Sequence, residues 1–388
     1  MNPLIAIAGL LLIGLILLDA FETVVLPRRV QHSFRFTSWF YRSTWRPWRA
    51  LAEHISSPTR RESFLGYFGP LSLIVLLAMW AFGLVFGFAV LQHGLGSQVQ
   101  LGNEHVGFKT LLYFSGETFF TLGFGDVTPV LGPARAFAVL EAGMGFAFLG
   151  IVIGYLPVIY SRFSERETEI SLLDARAGSP PSAAEFLNRL GKCQGQANSG
   201  QTLQGQNLLD EVLRDWERWS AQLLEGHLSY PVLVFFRSQH SNQSWLGALT
   251  MILDSTALAI AGIGSVADHQ ARLTFAMARH AVVDLAQVVR AQYDANAPDR
   301  LSSADLQILS ERLSAMDLPL RQGAEAKLLH AREMYEPYVQ ALAVRLGVAL
   351  PPWFHLERKK DNWEAGPWTL AIQARGLGQQ PRHTDEHF

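Results

Sequence analysis

The sequence has few of the residue types on which disulfide-rich, metal-binding and nucleic-acid-binding proteins depend. Its 388 residues include one cysteine, Cys193, which excludes an intrachain disulfide framework and leaves too few thiolates for a zinc or iron–sulfur site. Charged residues make up only 17% of the chain, against roughly 25% in ordinary soluble domains. The net charge is −2 and no long basic run is present, so a nucleic-acid partner is not expected.

The charged residues are unevenly spread along the chain. Of the 66 charged residues, 20 fall in residues 1–165 and 46 fall in the remaining, longer part. Such a difference indicates that the two parts face different solvents. We therefore expect the N-terminal part to lie in lipid and the C-terminal part to lie in water.

Three apolar stretches have the length of a membrane-spanning helix, about 20 residues. They are Leu4–Leu26, Phe68–Leu91 and Ala134–Tyr160. The first is not expected to be a cleaved signal peptide, because no basic region precedes it and no small-residue cleavage pattern follows it. Three spans would place the two termini on opposite sides of the membrane.

Arginines are concentrated between the first two spans, where eight of them outnumber two glutamates. By the positive-inside rule this segment is cytoplasmic. The N-terminus is then expected outside and everything after Arg162 in the cytoplasm, in a plasma membrane or a bacterial inner membrane. The eight residues are Arg28, Arg29, Arg35, Arg42, Arg46, Arg49, Arg60 and Arg61.

Aromatic residues lie among these arginines and allow two interpretations. Either the segment lies in the headgroup layer with its aromatic side chains in lipid, or these side chains pack on the protein's own helices. In the first case the segment Arg28–Arg61 would bind anionic lipids, each arginine contributing about 1 kcal/mol. Asp19 and Glu22 are expected to pair with Arg28 or Arg29, because intramembrane carboxylates need a partner. The aromatic residues are Phe34, Phe36, Trp39, Phe40, Tyr41, Trp45 and Trp48.

Residues 107–129, between the second and third spans, are too polar and glycine-rich for a lipid-facing helix and too apolar for a plain external loop. Non-helical backbone at membrane depth is tolerated only where it is buried in protein or lines a water-filled cavity. We therefore predict a re-entrant helix, Phe108–Phe119, followed by an extended stretch. There Gly123 and Gly125 flank Phe124, and the left-handed dihedrals open to glycine allow successive carbonyl oxygens to point to one side.

The stretch Thr121-Leu122-Gly123-Phe124-Gly125-Asp126 resembles the selectivity filter of potassium channels, whose usual form is Thr-Val-Gly-Tyr-Gly-Asp. With a pore helix before it and a span on either side, the resemblance covers residues 66–162. It implies that the carbonyls of Thr121–Phe124 and the Thr121 hydroxyl replace the hydration shell of K⁺. One such stretch per chain implies a homotetramer. It also implies K⁺ as the permeant ion, no cofactor and no enzymatic activity.

The resemblance also assigns residues that support the filter. Glu117 and Asp126 stand where the family often has a carboxyl pair, which would share a proton because two adjacent charges disfavour each other. The alternative leaves Asp126 as a solvated acid at the pore entrance. Phe124 replaces the usual tyrosine, as in the second filter of two-pore-domain potassium channels. Tyr113 and Phe114 stand where many relatives carry tryptophans.

The third span carries candidates for bending and gating. In the family the pore-lining helix often bends at a glycine, which matches Gly145, and Pro157 would kink the helix further on. Gly150 and Gly154 form a small-x-x-x-small pattern that is equally typical of close helix packing. Glu141 either faces a cavity or is buried against a neighbouring helix. The residues expected near a narrow gate are Tyr155, Leu156, Ile159 and Tyr160.

From Glu165 onward the pattern is helical, and no strand-borne Gly-x-Gly-x-x-Gly of a dinucleotide-binding fold is found. The apolar run Trp245–Ile263 has Asp254 at its centre, which favours a buried core helix over a fourth span. The predicted helices are 166–176, 183–193, 205–225, 243–262, 267–293, 302–315 and 324–346.

The sequence thus predicts an all-α membrane protein with three transmembrane helices, a re-entrant pore helix with its filter, and an α-helical cytoplasmic domain. The expected function is passive, potassium-selective conduction, gated by inner helices coupled to the cytoplasmic domain. The alternatives are a weakly selective cation channel and a non-conducting sensor or scaffold with a degenerate pore. The expected domains are a first transmembrane helix (1–27), an interfacial linker (28–65), a pore module (66–162), the cytoplasmic domain (163–348) and an extended or disordered tail (349–388).

Overall fold

The computed structural model describes residues 2–26, 36–97, 99–100, 107–195, 202–240, 242–263, 268–357, 361 and 368. Within these ranges the chain is almost entirely helical, which confirms the predicted all-α class. Three helical stretches there are long and apolar enough to cross a membrane: Pro3–Val24, Pro58–Leu95 and Gly132–Ala177. The chain divides into a membrane unit, Met1–Ser164 with Glu225–Phe236, and a C-terminal unit, Glu165–Leu224 with Arg237–Phe388.

The first half of the chain contains the three long apolar helices and one short helix between the last two of them. In chain order the elements are α1 (Pro3–Val24), α2 (Phe36–Glu53), α3 (Pro58–Gly66), α4 (Phe68–Leu95), β1 (Val99–Gln100), α5 (Phe108–Phe119), β2 (Thr128–Pro129) and α6 (Gly132–Ala177). The two short strands pair antiparallel. The bounds of α5 agree with the predicted re-entrant helix.

The rest of the chain continues with α7 (Ala183–Gly195), α8 (Thr202–Ser229), a 3-10 helix (Pro231–Phe235), α9 (Trp245–Ala261), α10 (His269–Val288), α11 (Ser303–Ala315), α12 (Ala324–Glu333) and α13 (Glu336–Leu346). Two predicted helices were wrong. The predicted helix 166–176 is not separate, because α6 continues to Ala177. The predicted helix 324–346 is divided at Met334 and Tyr335, because Pro337 in the first turn of α13 lacks the N–H that a continuous helix needs.

The first span lies along α4 through close glycine contacts. A Cβ added at Gly9 would lie 2.5 Å from the Leu91 backbone nitrogen, and one added at Gly94 would lie 2.2 Å from the Ala6 nitrogen. Backbones approach this closely only where small residues stand at the contact. The Asn2 N–H also donates to the Gly94 carbonyl, with an N···O distance of 2.7 Å. The first span is therefore part of the packing around the predicted pore module.

Asp19, near the end of α1, has hydrogen-bond donors on two other helices. The Thr37 hydroxyl donates to it at 2.6 Å, the Thr37 N–H at 3.2 Å, and the Trp80 indole N–H at 3.0 Å. These contacts satisfy a carboxyl group that is 6% exposed and connect α1, α2 and α4. The pairing with Arg28 or Arg29 predicted for Asp19 and Glu22 lies outside the described residues, as do Arg35 and Phe34.

Most described aromatic residues of α2 pack on the protein's own helices. Phe40 and Trp45 are buried. Tyr41 stacks on Phe235 with ring centroids 5.5 Å apart, and Trp48 stacks on Phe64 at 4.5 Å. Trp39 is the exception among them, since 48% of it is exposed. For most of this set the structure therefore favours the second interpretation.

In the C-terminal unit, α9 is the central helix, and nearly every residue of it is buried, including Asp254. The Asp254 carboxylate accepts two hydrogen bonds from the Arg300 guanidinium, at 2.9 and 3.0 Å, and one from the Tyr335 hydroxyl at 2.6 Å. Arg300 also donates to both oxygens of Glu336 at 2.6 and 2.8 Å. Burial lowers the pKa of Arg300, but the two carboxylates outweigh it and hold the pKa well above its usual value. Asp254 thus serves a buried ion-pair network, as expected for a core helix.

The first part of the predicted tail is attached to the C-terminal unit. Trp353 is 1% exposed, its carbonyl accepts from the Ala184 N–H at 3.1 Å, and Asp361 accepts from Arg189 at 2.9 Å. Residues 351–357 contain no helix. The large apolar surface of Trp353 explains why this stretch packs rather than remaining in solvent.

We predict that Asp254→Asn destabilises the C-terminal unit by about 3–5 kcal/mol, because it leaves a buried guanidinium with one carboxylate fewer. Hydrogen exchange of the α9 amides in the full chain would measure this as faster exchange. The matched control is Asp268→Asn, which removes an exposed i,i+4 contact to Arg272 and should change α9 exchange little. Unchanged exchange in both variants would contradict the assigned role of the network.

Candidate functional site

The short helix α5 presents one buried face to the neighbouring long helices. Its 12 residues extend over roughly 18 Å, too short to cross a hydrocarbon core of about 30 Å. Leu111 and Phe114 are buried in a cluster with Val99 and Val127, while Phe119 packs with residues of α4. The helix therefore enters the membrane unit and ends inside it.

The backbone after α5 alternates in handedness. Thr121, Gly123 and Gly125 have φ values of +55°, +61° and +78°, whereas the residues between them do not have positive φ. Alternation of left-handed residues with others lets successive carbonyl oxygens point to the same side of the strand. Two of these positions are glycines, as the sequence suggested. Thr121 adopts the left-handed region without being glycine, which costs of order 1 kcal/mol and must be held by its surroundings.

Both ends of this stretch are held by backbone contacts. At the start, the Leu122 N–H donates to the Glu117 carbonyl at 2.8 Å and the Thr121 N–H to the Thr118 carbonyl at 3.1 Å. At the end, Val127 is buried and β2 pairs with β1, with Val99 opposite Pro129. The stretch between them, residues 120–126, is exposed in the single chain.

Glu117 and Asp126 lie together behind the alternating stretch, with Tyr113 as a third member. The Tyr113 hydroxyl donates to the Asp126 carboxylate at 3.4 Å, and the Glu117 carboxyl faces Asp126, Tyr113 and the Phe124 N–H. Glu117 is 5% exposed, and among the described residues its Oε2 has no hydrogen-bond partner. This arrangement fits the predicted carboxyl pair better than an isolated Asp126.

Sequence reasoning missed the role of Tyr113. The resemblance identifies Tyr113 only as a replacement for a tryptophan, whereas the structure shows that its hydroxyl contacts Asp126, the last residue of the filter-like sequence. The available signal was its position four residues before Glu117, which places both side chains on one face of a helix. Tyr113 thus provides a hydroxyl contact to Asp126, at the end of the alternating stretch. Phe124, within that stretch, has no hydroxyl group of its own.

Gly145 of α6 lies directly against the end of α5. A Cβ at Gly145 would be 1.8 Å from the Phe119 carbonyl oxygen, a distance that no real side chain could occupy. Close approach therefore explains the glycine, and its role as a hinge stays a prediction. At Gly150 and Gly154 no heavy atom of the described residues, apart from the adjoining backbone of α6 itself, lies within 4 Å of the position that a Cβ would occupy, so their small-residue surface is open in the single chain. The helix continues through Pro157.

One face of α6 packs within the chain and the other does not. The packed face consists of Glu141, Gly145, Phe148, Val152, Tyr155 and Ile159. Tyr155 and Ile159 are 6% and 0% exposed in a core formed with α4, so the prediction that they line a gate was wrong for this arrangement. Tyr160 is 49% exposed. Glu141 is fully buried, which is the second of its two predicted alternatives.

We predict that Gly145→Ala displaces α5 from α6 and lowers the melting midpoint of the protein in detergent, because a methyl group cannot fit beside the Phe119 carbonyl. Gly143→Ala is the control: it adds the same methyl group one half-turn away, where nothing lies within 4 Å. It should be neutral or slightly stabilising, since alanine is favoured over glycine in a helix by about 1 kcal/mol. Equal melting midpoints for the two variants would refute the close contact.

Comparison with known proteins agrees with this geometry. The model of a family described as ion channel matches residues 74–161, which include most of α4, all of α5, the alternating stretch and the first part of α6. No curated protein and no solved structure gave a match. Residues 74–161 are therefore similar to an ion channel domain, and the helices around them are long and apolar enough to cross a membrane.

Proposed function

We propose that four copies of this chain form a potassium-selective channel whose filter is Thr121–Gly125. The observation that carries the proposal is the alternating backbone at Thr121, Gly123 and Gly125, in a re-entrant segment between two membrane-spanning helices. Carbonyl oxygens on one side of such a stretch replace the water molecules around a dehydrated K⁺ ion. Successive rings of carbonyl oxygens form adjacent K⁺-binding sites. Repulsion between ions in neighbouring sites then allows each ion to leave the filter.

Four copies are needed because each chain contributes one such stretch. A single stretch offers oxygens to one side of an ion, and rotational symmetry closes them into rings. In the single chain, large apolar side chains of this region are exposed, with Leu122 at 57% and Phe124 at 68%. Exposed apolar side chains of this size need a covering surface. Neighbouring subunits supply it in the proposed assembly.

The exposed face of α6 supports the same assembly. Only 11% of the most apolar 18-residue stretch of α6 is buried in the single chain, against 56% for the corresponding stretch within Pro58–Leu95. Val139, Phe146 and Ile153 are 72%, 74% and 64% exposed. Gly150 and Gly154 lie on this face too, where their small-x-x-x-small spacing allows close contact between helices. In the proposed tetramer this face meets neighbouring subunits and the central cavity.

The α5 helix contributes to ion binding through its dipole. The carboxyl end of a helix carries a partial negative charge, and the end of α5 near Phe119 leads directly into the filter. Four such ends aimed at the central cavity would favour a cation there. The positive-inside rule places the filter mouth outside and the C-terminal unit in the cytoplasm, in a plasma membrane or bacterial inner membrane.

The gating proposal follows from the continuity of α6. The helix extends past Ser164, the last residue of that part of the membrane unit, to Ala177 in the C-terminal unit. We propose that movements of the C-terminal unit reach the pore through this helix, with Gly145, Gly150, Gly154 and Pro157 as candidate bending points.

We predict that Gly123→Ala abolishes potassium flux while the tetramer still assembles, because an L-residue is strained at this φ and its carbonyl would turn away from the axis. Flux is measured in proteoliposomes under opposed potassium and sodium gradients. Gly132→Ala serves as the control, since Gly132 begins α6 without positive φ and with nothing near its Cβ position. In the unmodified protein, equal potassium and sodium flux would indicate a weakly selective channel. An absence of flux in the unmodified protein would indicate a non-conducting scaffold.

We further propose that arginines of α2 and α3 bind anionic phospholipids. Arg46, Arg60 and Arg61 are exposed, and two apolar side chains of α2, Trp39 and Leu51, are 48% and 61% exposed. Exposed arginines combined with exposed apolar side chains are typical of helices that lie in the headgroup layer.

We predict that Arg60→Gln with Arg61→Gln weakens anionic lipid binding by about 2 kcal/mol, the contribution of two basic residues near a negative surface. Brominated lipids quench tryptophan fluorescence on contact, so quenching by brominated phosphatidylglycerol should exceed quenching by brominated phosphatidylcholine. The difference should shrink in the double variant. It should persist in Arg218→Gln, which removes an exposed arginine from the C-terminal unit. Equal quenching by both lipids in the unmodified protein would exclude the site.

A further inference from the structure

A fully buried carboxyl group lies behind the pore helix, apart from the Glu117 pair. Glu141 of α6 is 0% exposed, and its Oε1 is in hydrogen-bond contact with the Ser115 hydroxyl of α5. Ser115 is also 0% exposed, and its hydroxyl lies 2.7 Å from the Val85 carbonyl oxygen of α4. Three helices therefore meet at one hydroxyl group.

The hydrogen atoms at this point can be assigned from the chemistry of the groups. A carbonyl oxygen has no proton, so the contact with Val85 requires the Ser115 hydroxyl to be the donor. A serine hydroxyl has one hydrogen atom, and its remaining capacity is to accept. The second contact, with Glu141, is therefore best satisfied when the hydrogen belongs to the carboxyl group.

The surroundings of Glu141 support a neutral side chain. The described side chains that face its carboxyl are Ser115 and Gln92, and neither carries a charge. Because Glu141 is completely buried within one chain, a neighbouring subunit cannot touch it with a cation. An ionised carboxylate without a partner in such a place costs several kcal/mol. The Gln92 amide, also 0% exposed, is the other polar side chain near the carboxyl group, and the second oxygen, Oε2, has no hydrogen-bond partner among the described residues.

We infer that Glu141 is a protonated carboxylic acid that donates to Ser115 and thereby fixes the pore helix α5 between α4 and α6. The contact is reinforced one turn further along both helices, where Gly145 meets Phe119. Ser115 and Phe119 are four residues apart, as are Glu141 and Gly145, so the two helices contact in matching register. Glu141 is thus a positioning residue for the filter, which begins two residues after Phe119.

The expected effect on ion selectivity rests on the proposed channel function, whereas the protonation of Glu141 and its contact with Ser115 do not. Infrared spectroscopy of the full protein in lipid tests the protonation and the contact alone. A carbonyl stretching band of a protonated carboxyl group is expected at neutral pH, and Glu141→Gln should remove it. Glu117→Gln should leave this band in place. Ser115→Ala should shift the band without removing it, because the proton loses its acceptor. A spectrum that Glu141→Gln does not change would overturn the assignment.

Flux measurements test the positioning role. Glu141→Gln keeps a neutral donor and acceptor of similar shape, so its ratio of potassium to sodium flux should stay within about twofold of the unmodified protein. Glu141→Leu removes the hydrogen bond and should lower the ratio about tenfold. If Glu141→Leu does not fold, Ser115→Ala removes the same hydrogen bond from its α5 partner, and its flux ratio can be compared with that of the unmodified protein. An unchanged ratio in both Glu141→Leu and Ser115→Ala would overturn the role. Absence of flux in the unmodified protein would refute the channel proposal and leave the infrared result standing.

Discussion

Backbone that leaves the helical conformation inside a membrane must have its polar groups satisfied by protein or by water, and this constraint organises the whole membrane unit. Residues 120–126 leave the helical conformation between two helices that are long and apolar enough to cross a membrane. At one end the last turn of α5 accepts their first N–H groups, and at the other end two short strands hold the exit. The helices α4 and α6 both pack against α5, and residue 145 is a glycine because a side chain there would push α5 away from α6.

Buried carboxyl groups decide which helices meet in both units. Asp19 collects donors from α2 and α4, Glu141 contacts α5 beside α4, and Asp254 collects Arg300 and Tyr335 around α9. Apolar packing is tolerant of small displacements, but a buried polar group without its partner costs about 1–3 kcal/mol. These three side chains therefore add specificity to packing that hydrophobic contacts alone would leave less defined. The described partners differ in charge: they are neutral hydroxyl and indole groups in the membrane unit, and a guanidinium together with a hydroxyl group in the C-terminal unit.

Much of the fold could be predicted from the sequence because the signals are long-range averages. Apolar length predicts the spans, and the glycine spacing with its flanking pattern predicts α5 and the stretch after it. The contacts of single side chains could not be predicted in this way. The Tyr113 hydroxyl donates to Asp126, and Tyr155 is buried in the core of the chain. Both contacts depend on the orientation of α5 and α6 about their own axes relative to the neighbouring helices. Gly145 illustrates the same limit, since a hinge and a close contact have the same sequence signal, and only the structure shows that the Phe119 carbonyl lies against this glycine.

In the proposed channel the two faces of α6 have different roles, one in supporting the filter and one in assembly. One face carries Glu141 and Gly145 against α5, and the opposite face, with Phe146, Gly150 and Gly154, is open in the single chain. In the proposed tetramer the open face meets neighbouring subunits, so the same helix holds the pore helix on one side and the subunit contact on the other. A rotation of α6 that changes the subunit contact must also move the side chains that hold α5. Because α6 continues to Ala177, the proposed coupling of the C-terminal unit to the predicted filter needs no separate linker.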